Sequence, residues 1–142
     1  MNLFFEREGI STISFLYNNA YIVENKIICG TRGWMSEFWV KAEDERIIKR
    51  EAARLELSLK EGEKLKSANP EAETVVFVHY PVVFGDFINY EMLDVLYKYG
   101  VSRVYYGHLH NVRENQLDKS YLGIDFHIAA ADYLGFKPIP VV

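Results

Sequence analysis

The sequence predicts an α/β fold, with a single domain over residues 1–142. Short runs rich in β-branched and aromatic residues indicate strands, and two longer segments carry apolar residues at helical spacing. One helical segment lies between two strand-like runs, which is the pattern of a parallel crossover unit. We therefore expect a mixed sheet with two main helices.

Composition limits the possible partners. A formal net charge of -4 and the absence of a concentrated basic stripe argue against nucleic acid as the main partner. No segment approaches the roughly 20 continuous apolar residues that span a bilayer. The N-terminus also lacks a basic region followed by an apolar stretch. We therefore expect a cytoplasmic protein with no membrane partner.

The first thirty residues predict a cluster of short strands. The turn signals Asn18-Asn19 and Glu24-Asn25 separate β-rich runs at about 12–17, 20–23 and 26–30. The single cysteine, Cys29, lies in the apolar run KIICG, so no disulfide within the chain is possible. We interpret it as a buried structural thiol and not as a nucleophile.

The segment from about Glu43 to Ser67 predicts the first main helix. Apolar residues follow one another at intervals of four, three and four, at Ile48, Ala52, Leu55 and Leu59. Acidic residues stand at the start of the segment and lysines near its end, as the helix dipole favours. This charge pattern is typical of a solvated helix face, and we assign it no catalytic role.

The run TVVFVHY predicts a central strand that ends at His79, since Pro81 cannot extend the ladder. A second helix is predicted from about Asn89 to Tyr99, with Met92, Leu93 and Leu96 facing inward and Gly100 as its cap. The next strand, at about 103–106, leads into the segment GHLHN. If the crossover is parallel, the ends of the two strands lie side by side.

Three of the four histidines then converge at the carboxyl ends of neighbouring strands, where open α/β sheets keep their sites. His108 and His110 stand one residue apart, so an extended backbone directs both to the same side, and His79 ends the adjacent strand. Imidazole is a common ligand of zinc, iron and manganese. We expect the three imidazoles to lie within reach of one metal site, at most about 8 Å apart.

The C-terminal segment offers β-like runs around Tyr121 to Ala129 and Lys137 to Val142. His127 lies within the first run beside apolar neighbours, and we expect a structural histidine outside the metal cluster. Asp132 and Asn111 are candidates to orient a ligand histidine by a hydrogen bond, without binding the metal themselves. For Asp132, a role in a turn or a cap is the alternative.

Two motifs resemble the calcineurin-like metallophosphoesterase superfamily. FVHYP, followed some thirty residues later by YGHLHN, is similar to the last two motifs of that superfamily, and the second has its GHxH pattern. ICGTRGW and ADYLGFKP resemble flanking segments in a bacterial branch of predicted phosphohydrolases. The resemblance implies an αββα sandwich and hydrolysis of phosphate esters by two metal ions. It also implies that His79 and His108 are ligands of one metal, and His110 a ligand of the other.

The chain departs from the pattern of this family in its first part. The Asp-x-His, the Gly-Asp that supplies a bridging carboxylate and the Gly-Asn-His turn do not precede His79, and Gly85-Asp86 follows it and reads as a turn. The expected fold is therefore a partial αββα sandwich of the metallophosphoesterase type, corresponding to its C-terminal portion. Without the bridging carboxylate, mutual repulsion would prevent two divalent ions from binding close together.

We therefore expect a truncated or split metallophosphoesterase that is inactive alone, contains no catalytic residue of its own and binds at most one Mn, Fe or Zn ion. Its substrate is a phosphate ester of unknown identity. The missing half would be supplied in trans or by homo-oligomerisation, because a half sandwich leaves apolar surface open. Two alternatives are a non-catalytic binding or assembly module and a mononuclear three-histidine metal hydrolase.

Overall fold

A computed structural model describes residues 2–36 and 42–141 and has the α/β architecture that the sequence predicts. No helix in these two ranges is both long and apolar enough to cross a membrane. The helices are α1 (Asn2–Arg7), α2 (Ala42–Ala68) and α3 (Tyr90–Lys98). The strands are β1 (Ala20–Val23), β2 (Lys26–Thr31), β3 (Glu73–Val78), β4 (Val83–Phe84), β5 (Phe87–Ile88), β6 (Arg103–Tyr106), β7 (Ser120–Tyr121) and β8 (Ile124–Ile128).

Six strands form one mixed sheet in the order β1-β2-β3-β6-β8-β7. The four central strands β2, β3, β6 and β8 are parallel, and β1 and β7 pair antiparallel at the two edges. Helix α2 connects β2 to β3, and α3 lies in the connection from β3 to β6. The predicted parallel crossover is confirmed, with Val76 opposite Val104 and Val78 opposite Tyr106.

The core lies between α2, α3 and one face of the sheet. The predicted stripe of α2 and the inward residues of α3 are confirmed as buried: Ile48, Ala52, Leu55, Leu59, Met92, Leu93 and Leu96. Alternate residues of the central strands, such as Val76 and Val104, face these helices and join the same buried cluster. Burial of about 25 cal/mol per Å² of apolar surface makes this layer the main source of stability.

Cys29 lies on the helix face of β2 and is fully buried, which confirms the expectation of a structural thiol. Burial raises the pKa of its thiol to about 11, so the reactive thiolate is scarce at neutral pH. Its sulfur donates a hydrogen bond of 3.5 Å to the carbonyl of Ser58 in α2. The side chain therefore contributes to the packing of α2 against the sheet.

The opposite face of the sheet carries a row of stacked rings across three strands. The Tyr105 ring lies between those of Phe77 and His127, with centroid distances of 5.1 and 4.8 Å. The N-terminal segment covers part of this face, because Leu16 and the Phe77 carbonyl occupy the space where Gly30 would carry a side chain. Tyr105 is only 2% exposed, so this face is partly covered within the chain itself.

Residues 12–17 do not form the strand that the sequence predicts. Side chains take the place of a ladder partner: Asn19 Nδ2 and the Tyr21 hydroxyl both donate to the carbonyl of Phe15, at 3.2 and 3.0 Å. The amide of Tyr17 donates to Asn19 Oδ1 at 2.6 Å. Local side-chain bonds of this kind compete with strand pairing.

The C-terminal strand predictions are correct in part. The run around Tyr121 to Ala129 is interrupted at Leu122 and Gly123, which have φ values of 48° and 84° and form the tight turn of the β7–β8 hairpin. Residues 137–141 form no strand, because Pro138 and Pro140 lack the amide hydrogens that a ladder needs. The expectation for Val142 falls outside the described residues. Gly85-Asp86 joins β4 to β5, as the expected turn.

Helix α2 lies close against the sheet at Gly62, and this contact gives a test of the packing. A Cβ atom at this position would lie 2.6 Å from Cys29 Sγ and 3.2 Å from Ile27 Cγ2. Gly62→Ala should therefore lower the free energy of unfolding by about 1 kcal/mol, because overpacking outweighs the gain in helix propensity. Urea denaturation measures the change.

The double variant Gly62→Ala/Cys29→Ala is the control, because it removes the sulfur atom that the new methyl group meets. Its stability should exceed the value calculated by adding the two single effects. Strict additivity, or a stabilised Gly62→Ala protein, would contradict this account of the helix–sheet contact.

Candidate metal centre

Three parallel strands end at the same edge of the sheet, and backbone bonds link the residues that follow them. Arg32 follows β2, and its carbonyl accepts hydrogen bonds from the amides of His79 and Tyr80 at 2.9 and 3.0 Å. Gly107 follows β6, and its amide donates to the carbonyl of His79 at 3.1 Å. The backbone of His79 is thus held from both neighbouring strands, and its side chain is exposed.

The imidazoles of His79 and His108 are in direct contact. His108 Nδ1 lies 3.2 Å from His79 Nε2, and the ring planes are nearly perpendicular at 76°. One of the two nitrogens must donate the hydrogen of this bond, and the tautomers decide which. Tyr80 packs against both rings, with centroid distances of 4.1 Å to His108 and 5.0 Å to His79.

The backbone places the His108 ring by adopting a strained conformation. The φ angle of His108 is 65°, in the left-handed region that residues with a Cβ seldom adopt. The amide of Leu109 donates to the carbonyl of Gly107 at 2.7 Å, which closes a tight turn around His108. Conformations of this kind cost about 1–3 kcal/mol and concentrate at functional sites.

His110 is oriented by Asp132 from the C-terminal segment. His110 Nδ1 lies 2.9 Å from Asp132 Oδ1, and the amide of Asn111 donates to Asp132 Oδ2, also at 2.9 Å. The Asn111 amide and the His110 ring lower the pKa of the Asp132 carboxyl below its ordinary value. The carboxylate therefore holds Nδ1 of the ring, and the exposed His110 side chain keeps Nε2 for another partner.

The structure brings two of the three predicted ligands together and pairs the third with a carboxylate. Among residues 2–36 and 42–141, no group of three or more His, Cys, Asp and Glu side chains is arranged to hold a metal ion. The His79–His108 pair offers two nitrogens for one ion, and in the described ranges no third ligand side chain completes that site. A metal site formed by His79, His108 and His110 together therefore stays a prediction. Three imidazoles without a bridging carboxylate do not fit a pair of divalent ions.

His127 lies in β8, where it stacks on Tyr105 on the sheet face opposite the helices. Together with Asp125 it forms an Asp-x-His spacing, which comes after the GHxH segment and within a strand. Asp125 is opposite Arg103 in the β6–β8 ladder. Of the atoms that the structure describes, His127 Nε2 is one of two buried side-chain polar atoms without a hydrogen-bond partner.

The aromatic loop GTRGW, to which the sequence pattern alone assigns no role, also reaches this edge. The guanidinium carbon of Arg32 lies 5.0 Å from the Trp34 ring centroid, and the Trp34 ring lies 5.2 Å from that of Tyr80. Because Tyr80 contacts His108, the rings form a continuous wall from Arg32 to the imidazole pair. The position of the loop directly after a buried strand is the signal that could have found it.

Comparison of the chain with protein-family models, curated proteins and solved structures finds no match.

The strained turn at His108 predicts an inverted order of stability for two substitutions. His108→Gly and His108→Ala both remove the imidazole, but only glycine adopts a φ of 65° without a steric cost. The His108→Gly protein should be more stable than the His108→Ala protein by about 1 kcal/mol in urea denaturation with EDTA present.

His110 supplies the matched control, because it is not among the described residues with positive φ. There the ordinary order applies, and His110→Ala should be more stable than His110→Gly. The same order at both positions would show that the left-handed turn is not a feature of the folded chain.

Proposed function

We propose that this chain binds one divalent transition-metal ion between His79 and His108 and forms the histidine side of a metal-dependent phosphoesterase centre. The observation that carries the proposal is the 3.2 Å separation of His108 Nδ1 and His79 Nε2 at the ends of two adjacent parallel strands. In a tetrahedral site with metal–nitrogen bonds of about 2.0–2.1 Å, two ligand nitrogens lie about 3.3 Å apart. The separation of the two nitrogens therefore already suits a shared ion, and binding requires each ring to turn until its lone pair points at that ion.

The surroundings of the pair also support metal binding. The His79 side chain is exposed and His108 is partly exposed, so an ion and its water ligands have access from solvent. Tyr80 restricts both rings, and the backbone bonds of His79 fix its Cα position. Ligands that are already oriented lose less conformational entropy when the ion binds.

His110 supports a second part of the proposal, which concerns the second metal ion of a two-metal phosphoesterase site. Asp132 holds Nδ1 of the His110 ring, and this contact fixes the orientation of the ring and leaves Nε2 open to a metal ion, as outer carboxylates do for ligand histidines. We infer that His110 binds a second ion only when further carboxylate ligands are present. Two divalent ions at the usual separation of about 3.5–4 Å require an anionic bridge between them.

The proposed reaction is hydrolysis of a phosphate ester. Metal ions in such a centre bind the phosphoryl oxygens and lower the pKa of a bound water. The contribution of this chain is to hold His79, His108 and His110 in position and to shield one side of the site with Tyr80. We infer that the carboxylates are supplied by another polypeptide, so activity of the chain alone should be very low.

A non-catalytic assembly module is a second candidate, and exposed apolar side chains favour it. Phe4, Ile13 and Tyr17 in the N-terminal segment are 52%, 53% and 65% exposed. All three belong to the first 17 residues of the chain, and exposed apolar surface of this kind often marks a protein–protein contact when it is contiguous. This candidate predicts association of the chain without any effect of metal.

Isothermal titration of the metal-free protein with Zn²⁺ or Mn²⁺ tests the metal-binding proposal. We expect a single site per chain, and at least about tenfold weaker affinity in His79→Ala and in His108→Ala, because each removes half of the protein ligands. The His127→Ala protein is the matched control and should bind like the wild type. Unchanged affinity in the first two variants would refute the site.

Hydrolysis of p-nitrophenyl phosphate and its bis ester, with added Mn²⁺, tests the activity. The chain alone should show almost no turnover. A polypeptide that carries Asp-x-His, Gly-Asp and Gly-Asn-His motifs should restore activity, which His79→Ala, His108→Ala or His110→Ala should abolish. Efficient turnover by the chain alone, lost in His110→Ala, would instead favour the three-histidine hydrolase or a site completed in a homodimer.

A further inference from the structure

The sheet edge beside the imidazole pair carries more positive charge than its one buried carboxylate can neutralise. Glu51 of α2 is fully buried, and its Oε1 lies 2.7 Å from Arg54, 3.5 Å from Arg50 and 3.6 Å from Arg32. Its Oε2 accepts a hydrogen bond of 3.0 Å from the hydroxyl of Thr31. Three guanidinium groups share one carboxylate, so the cluster has a net charge of about +2.

Arg32 and Arg50 both keep donors available, since Arg50 lies 3.5 Å from Glu51 and is 52% exposed. Of the two, it is Arg32 that contacts the Trp34 ring. The contact of Arg32 with Glu51, at 3.6 Å, is too long for a good hydrogen bond. Within the described part of the chain, no hydrogen bond from its guanidinium to a protein acceptor is present, and its side chain is 46% exposed. Arg54 differs, because it makes the 2.7 Å bond and is only 30% exposed.

Trp34 and Glu51 restrict the position of the Arg32 guanidinium but leave its N–H donors open to a ligand. The guanidinium carbon lies 5.0 Å from the Trp34 ring centroid, within the range of a cation–π contact. The indole of Trp34 is itself fixed by a bond of 3.0 Å to Asp44 Oδ1. A planar group with five donors, held in one place and open to solvent, suits bidentate recognition of an oxyanion.

The Arg32 side chain lies at the same sheet edge as the proposed metal ligands. The carbonyl of Arg32 accepts the amide hydrogens of His79 and Tyr80, so the backbones are in contact. The side chains are connected as well, because the Trp34 and Tyr80 rings form a continuous row of contacts from the guanidinium to the His108 ring. A ligand that contacts both the guanidinium and the imidazole pair would therefore lie along the Trp34 and Tyr80 rings.

We propose that Arg32 binds a phosphate group at this edge, with Trp34 as the residue that positions the guanidinium. This assignment rests on the proposed function for the choice of phosphate over other oxyanions. It identifies Arg32 as a substrate-binding residue and the Trp34–Tyr80 wall as the side of the substrate site. The charge of the Asp44 carboxylate behind Trp34 lowers the affinity but leaves the open face of the guanidinium accessible.

Titration of the metal-free protein with inorganic phosphate in EDTA, followed by ¹H–¹⁵N NMR, tests the proposal. In the wild type, the Nε–H of Arg32 and the indole N–H of Trp34 should shift more than the Nε–H signals of Arg50 and Arg54. Arg32→Gln should weaken phosphate binding by about tenfold, the size of one charge-assisted contact. Arg50→Gln removes the same charge beside the same carboxylate and should change binding less than about twofold.

Three results would overturn the proposal. Equal weakening by Arg32→Gln and Arg50→Gln would show a diffuse electrostatic field, and the largest shifts at Arg50 or Arg54 would place the anion elsewhere. Acetate that binds as tightly as phosphate would refute the phosphate assignment. Arg32→Gln should keep the Zn²⁺ affinity of the wild type, so a failure of the metal proposal remains distinguishable from a failure of this one.

Discussion

The carbonyl of Arg32 is the backbone acceptor on which the geometry of the sheet edge depends. It receives the amides of both His79 and Tyr80, and the carbonyl of His79 in turn receives the amide of Gly107. These bonds continue the parallel ladders of β2, β3 and β6 past the last strand residues. Each is worth only about 0.5–1.5 kcal/mol, but together they bring side chains from three separate segments to one place.

The packing of α2 and α3 against one sheet face keeps these strands aligned. Small side chains permit the close approach at Gly62 and Cys29, and large apolar residues fill the remaining space. Buried Glu51 connects the same helix to the end of β2 through Thr31 and the arginines. Glu51 is fully buried, so removal of Arg54, its closest partner at 2.7 Å, would leave its charge less well compensated, which makes this polar contact costly to disturb. The core and the edge are therefore coupled through α2.

The sequence predicted the elements with strong periodicity and missed those that depend on local side-chain bonds. Helix α2 and the β3–α3–β6 crossover follow from apolar spacing and from Pro81, because burial dominates their energetics. The segment 12–17 has strand-like composition, but Asn19 and Tyr21 occupy the backbone groups that a ladder would use. At the site, strand order predicts the proximity of His79 and His108. The left-handed turn at His108 and the exposure of Arg32 depend on three-dimensional contacts that no spacing reveals.

The central claim is that the two imidazole nitrogens form a metal site. Crystals of the protein grown with Zn²⁺ and measured at the zinc absorption edge test it most directly. The account predicts an anomalous peak about 2.0–2.1 Å from both His79 Nε2 and His108 Nδ1, in place of the hydrogen that now joins them. A zinc-soaked structure in which the two rings keep their hydrogen bond, or in which zinc binds at His127 instead, would contradict it.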